Sequence, residues 1–312
     1  MASVEYIFGI IFAVIAGICF NLAPAMQKLA LSNMKHEVSF SNMKSSARTL
    51  FTNRKWIFGL IVGFLGVIPF IIAMSWVGIS VVQPVMSIGM IFLVIYCEKK
   101  LGEKLNIWAK SSIGLMIAMP FFIGLAHISN AQSDITEPLT RNKIIIVTGI
   151  ILILILGFAI LAKKYPIFLT GVIGLFYALS AYYMQAYMSM IAFSGYNFVQ
   201  DLDLIIKQAF TDPNILIANL FFIALLIFSG MAGYTLQIGL QKLPASRCNP
   251  IQQTINNVVS ILSGILIFKQ DIGNIYFYSI GVASGIFSII ILGSYQISNN
   301  SHLETLKDEK SE

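Results

Sequence analysis

Apolar runs of about 20 residues recur along this chain, each long enough as a helix to cross the roughly 30 Å hydrocarbon core of a bilayer. The stretch from Ile144 to Ala162 holds no charged residue at all. Charged residues make up 11% of the 312 positions, against about 25% in soluble proteins. No soluble fold of this size could shelter that much apolar surface. Backbone polar groups inside a bilayer must be satisfied within the segment, which selects helices for runs of this length. The expected class is therefore an all-α integral membrane protein. Nine spans are read near 6–30, 56–77, 79–97, 107–127, 143–162, 166–193, 214–241, 249–268 and 274–296.

Met1 to Tyr6 contains Glu5 and no Lys or Arg, so the first span is expected to remain in the mature protein and not to be removed as a signal peptide. Cys19, Cys97 and Cys248 are widely spaced and lie in or beside apolar runs. That pattern fits neither a disulfide framework nor a metal cluster and predicts structural thiols.

Placing residues 32–55 inside also puts the connections near 98–110, 163–164 and 242–247 and the C-terminal tail inside. That side then holds sixteen of the twenty Lys and Arg residues, leaving Arg141, Lys143, Lys207 and Lys269 outside. The bias predicts an external N-terminus and a cytoplasmic C-terminus, with the plasma membrane as the expected location. The pI near 9.1 thus reflects topology. The dispersed basic residues form no nucleic-acid motif. Asn299-Asn300-Ser301 matches a glycosylation sequon, but on a cytoplasmic tail it is read as chance. The expected partners are the lipid bilayer and a small-molecule or ion substrate, and a homodimer is left open.

The second half lies on the first in register. Met26-Gln27 falls on Met184-Gln185, Gln83-Pro84 on Asn249-Pro250, Ser80 on Ser246, Ala73 on Gly239 and Glu103 on Lys269. Spans 1–4 thus match spans 6–9, and the intervening span 5 gives the two units opposite orientations, the inverted-repeat layout of many secondary transporters. The expected organisation is a first unit over 1–127, linking helix 5 over 143–165, a second unit over 166–297 and a polar cytoplasmic tail over 298–312. Gly59 with Gly63, and Gly281 with Gly285, give small-xxx-small patches that permit close helix packing.

Gln83-Pro84 through Glu98, then Gly102-Glu103-Lys104-Leu105-Asn106 with Gly114 in the next span, resembles the drug/metabolite transporter (EamA-like) superfamily. In that superfamily a repeat ends with a helix entered through Pro, a short Gly-Glu-basic-Leu loop and a last helix containing Gly. The nine-span layout resembles the NIPA branch, whose members are described as magnesium transporters. The second half departs from the motif, with Phe268-Lys269-Gln270-Asp271 in place of Gly-Glu-basic-Leu.

Polar residues inside a bilayer are costly and face a packed interior or a watery cavity. In span 8, Gln253, Asn256, Asn257, Ser260 and Ser263 recur at spacings of three and four and make one stripe. Asn21, Pro24 and Gln27 in span 1, Ser80, Gln83 and Ser87 in span 3, Tyr182, Gln185 and Ser189 in span 6, and Tyr234, Gln237 and Gln241 in span 7 form weaker ones. The functional reading is a substrate path through Asn21, Gln27, Gln83, Gln185, Gln237, Gln253, Asn256, Asn257 and Ser260. The alternative is hydrogen-bonded glue between helices. Pro24, Pro84 and Pro250 either expose backbone carbonyls to a substrate or, for the latter two, sit in ordinary first turns. Lys28 and Glu98, at similar depth, read as an inner gate or as a solvated interfacial pair.

These features predict a transporter and not an enzyme: no His-Glu-x-x-His helix occurs, and His36, His127 and His302 all lie away from mid-span. No cofactor is expected. A cavity of neutral amides suits a small polar or amphipathic metabolite or drug. Magnesium, usually held by one or two carboxylates, is the runner-up that the resemblance implies.

Overall fold

The computed structural model describes residues 4–32, 34, 37–77, 82, 85–103, 105–126, 137–196, 198, 201–268 and 272–308. Among them the chain is helical, without a strand. The helices are α1 (Val4–Leu31), α2 (Met43–Thr52), α3 (Arg54–Val77), α4 (Gly89–Tyr96), α5 (Ile107–Leu125), α6 (Pro138–Ala162), α7 (Phe168–Phe193), α8 (Leu202–Lys207), α9 (Pro213–Lys242), α10 (Ala245–Phe268) and α11 (Ile275–Asp308).

Seven of these, α1, α3, α5, α6, α9, α10 and α11, are long and apolar enough to cross a membrane. On α6, Ile145 and Ile153 are each 69% exposed, a surface that suits acyl chains and not water. The chain is an integral membrane protein. Two of the nine expected spans fall outside the seven for different reasons. The run at 79–97 lies partly outside the described residues, and its described part is α4. The run at 166–193 is α7, whose Tyr, Ser, Thr and Gln content dilutes its hydropathy and whose surface is largely buried.

The chain divides into two compact units. The first comprises residues 1–126, 240–254 and 274–312. In it α1 and α3 run antiparallel, with Gly59 against Gln27, Gly63 against Ala23 and Gly66 against Cys19. Where α1 crosses α4, a Cβ on Gly17 would strike the Met86 backbone and one on Gly89 the Gly17 carbonyl, so two backbones meet where only glycine fits. Gly281 and Gly285 of α11 rest on Met119 and Ile123 of α5. Farther along the same seam Ser112 Oγ donates to the Ser288 carbonyl at 2.6 Å. Both small-residue patches read from the sequence are thus helix seams.

The second unit comprises residues 127–239 and 255–273. Its core is aromatic, with Tyr182, Tyr187 and Phe176 buried in one cluster and Tyr183 stacked on Phe228 at 5.5 Å between centroids. The Thr148 hydroxyl bridges α6 to Tyr182 and Tyr183 of α7.

Two helix ends differ from expectation. The helix expected from 249 begins at Ala245, because the Pro244 carbonyl accepts from the Arg247 and Cys248 amides. Pro250 therefore lies inside α10 and not in its first turn. The helix expected to end near 296 continues to Asp308 through a stretch without Pro or Gly after Gly293.

Candidate functional site

Two polar clusters lie in the first unit, both built on the start of α10. The deeper is a chain of amides. Asn21 Nδ2 donates to the Gly17 carbonyl at 2.9 Å, Asn249 Nδ2 to Asn21 Oδ1 at 3.2 Å, and Gln252 Nε2 to Asn249 Oδ1 at 2.9 Å. All three are buried, Asn21 being 1% exposed. Asn21 is on α1 beside the Gly17–Gly89 crossing, and a Cβ on Gly89 would come within 2.8 Å of its Nδ2. Asn249 and Gln252 are three residues apart on one face of α10. Each amide has two N–H groups and an oxygen with two lone pairs, so the chain can carry further bonds to a polar solute.

The second cluster lies one turn earlier on α10 and centres on Glu103. The first N–H groups of any helix have no partner within it. Here the Ala245 amide donates to Glu103 Oε1 at 2.8 Å and the Ser246 amide to Oε2 at 2.9 Å, while the Ser246 hydroxyl also donates to Oε2. A carboxylate from a distant loop thus caps α10, with its charge at the positive end of the helix dipole. Local sequence explains its position. Cys97–Leu101 forms a π turn, and Gly102, at φ 67°, ends it in the left-handed region that favours glycine. The Gly102 and Glu103 amides both return to the Cys97 carbonyl, and Asn106 caps α5 by accepting from the Ala109 amide at 2.8 Å. Within the Gly-Glu-basic-Leu-Asn stretch, Gly102 thus stops one helix, Glu103 is presented to α10 and Asn106 starts the next.

Lys28 donates to the Leu240 carbonyl and lines one cleft with Glu103. Glu98, the gate partner expected for Lys28, pairs with Lys110 at 2.7 Å, so the structure does not bring those two together. The expected pairing rests on similar depth alone, and Glu98 instead lies in the π turn over Cys97–Leu101.

The other expected path residues are dispersed. Gln27 is buried against α3. Gln83 lies outside the described residues. In the second unit Gln237 is buried, with its Nε2 at 3.4 Å from the Gly233 carbonyl of its own helix, and Gln185 is half-buried. On α10, Gln253, Asn256 and Ser260 are half-buried and Asn257 and Ser263 buried, while Leu262 and Leu266 are exposed. The polar stripe therefore faces protein. Ser260 Oγ bonds Asn256 Oδ1 at 3.2 Å.

Asn249, Gln252 and Glu103 were missed as site residues. In the sequence the amide-Pro pair at 249–250 reads as a helix start, and Gln252 lies one position off the stripe. Glu103 reads as part of a loop motif, with its partners 142 and 143 residues away. The three cysteines are free, with Cys97 and Cys248 buried, and no group of three or more metal-ligating side chains occurs among the described residues. Comparisons with family models, curated proteins and solved structures return no match.

Proposed function

We propose that the chain is a transporter that moves a small polar or amphipathic metabolite or drug by alternating access, through a cavity between two inverted four-helix units. The observation that carries this reading is the buried amide chain Asn21–Asn249–Gln252 among membrane helices. Neutral amides suit neutral or amphipathic organic solutes, whereas a dedicated divalent-cation cage draws on carboxylates. In this reading the spans number nine, α4 and α7 completing the set. The 26 residues of α7 reach about 39 Å at 1.5 Å per residue, enough to cross a bilayer core.

Purified protein in liposomes tests the proposal. Uptake of radiolabelled amino acids or of a fluorescent amphipathic cation above that of empty liposomes is the expected result. Mg²⁺ influx on an entrapped indicator, without organic uptake, would replace the metabolite reading by the ion. No flux of any probe would overturn transport itself.

A further inference from the structure

Three features succeed one another from the end of α9 into α10. Residues Lys242, Leu243 and Pro244 line a cleft of about 350 Å³ together with Lys28, Lys100 and Glu103. The Ala245 and Ser246 amides are held by Glu103. Asn249 and Gln252 belong to the buried amide chain. At about 1.5 Å per residue, the Glu103 clasp stands between a cleft open at the surface and the amides within.

We propose that Glu103 is the latch of a gate: its carboxylate holds the first turn of α10 against the loop after α4, and its release opens the way from the cleft to the amide chain. The inference rests on the transporter reading. The groups it engages are ones water in the cleft can serve equally, since N–H groups at a helix start are hydrated wherever no side chain caps them. Releasing the carboxylate therefore exchanges partners at the helix start without orphaning an N–H there, as a reversible latch requires; the buried Cys97 thiol, which also bonds Glu103, is only a weak donor. The turn it holds is also weakly tied to the rest of its helix. Pro250 lacks an N–H, so the Ser246 carbonyl receives no bond from it and the helix can bend there. Lys28, bonded to the Leu240 carbonyl, joins the end of α9 to α1 beside the latch.

Cys248, fully buried between latch and amides, is a native reporter of opening. In a Cys19→Ser/Cys97→Ser background in detergent, Glu103→Ala should speed maleimide labelling of Cys248 on the order of 10-fold, the shift expected when charge-assisted hydrogen bonds to one state are lost. Ser246→Ala, which keeps both backbone bonds, should accelerate it less. Gly281→Ala, which overpacks the α5–α11 seam against Ile123 and Met119 without touching the latch or the amide chain, separates gating from general destabilisation. Its Cys248 should stay slow below its melting temperature. Labelling unchanged by Glu103→Ala, or raised equally by Gly281→Ala, overturns the latch. In liposomes, a reducible crosslinker joining Glu103→Cys to Ser246→Cys should stop uptake until it is cleaved. Uptake that persists across the bridge overturns the gate and leaves the transporter reading standing. If no variant transports any probe, that reading fails, while labelling still decides the latch.

Discussion

At the residue scale, the amide chain distinguishes a solute path from helix glue. Asn249 both donates to Asn21 and accepts from Gln252, so Asn249→Leu, which keeps the branched shape, leaves two buried groups without their partner. The expected cost is about 1 kcal/mol, in line with polar contacts between membrane helices. Replacing Asn21 as well removes one of the stranded groups, so Asn21→Leu/Asn249→Leu should cost less than the sum of the two single changes. Unfolding in denaturant measures the cycle, and liposome uptake on the same preparations should be lost in all three variants. Uptake retained per folded molecule would identify the amides as glue. The stripe on α10 was legible because amides recurring every three or four residues in an apolar run have one physical explanation, a face turned from lipid. The link from Asn249 to Asn21, and that from Glu103 to α10, were not legible. Each joins residues more than 140 positions apart, and periodicity fixes the facing of a residue on its own helix but not which helix it meets. The pairing of Lys28 with Glu98 failed for the same reason, since similar depth says nothing of azimuth.

At the element scale, two glycines of the first unit show how context decides a substitution. Gly89 meets the Gly17 backbone, and a Cβ there has no room unless α1 and α4 separate. Gly89→Ala should cost about 1–3 kcal/mol, the range for overpacking a close contact. Gly114, singled out by its place in the resemblance, is exposed on α5 with nothing described within 4 Å of an added Cβ. Gly114→Ala should be neutral or stabilise by up to about 1 kcal/mol through reduced backbone freedom. Thermal unfolding of the two variants in one detergent compares them, and an equal loss in both would refute the close crossing. Helix existence was legible throughout the described spans because each apolar run is long. Boundaries were less so. The apolar run puts the start of α10 at 249, whereas a carboxylate capping from another loop lets the helix begin four residues earlier.

At the scale of the whole molecule, membrane residence follows from seven long apolar helices, while the direction in which the chain threads the bilayer rests on charge. With sixteen of twenty Lys and Arg residues assigned to one face, the positive-inside rule predicts that this face is cytoplasmic. The nine-span reading assigns Ser45 on α2 to that face and Lys207 at the end of α8 to the opposite one, and both side chains are exposed. The rule counts charges and takes no account of packing, so a single miscounted span anywhere between residues 55 and 200 would put both probes on one side. Ser45→Cys and Lys207→Cys, each in a background with Cys19, Cys97 and Cys248 replaced by Ser, therefore test the span count and the orientation together. In intact cells an impermeant maleimide should label Lys207→Cys and spare Ser45→Cys, and permeabilisation should make both reactive. Labelling of both, or of neither, in intact cells would mean an even number of crossings between them and remove the nine-span layout. The reverse pattern would keep the odd number and invert the orientation, placing the Glu103 latch and its cleft at the outer mouth of the path.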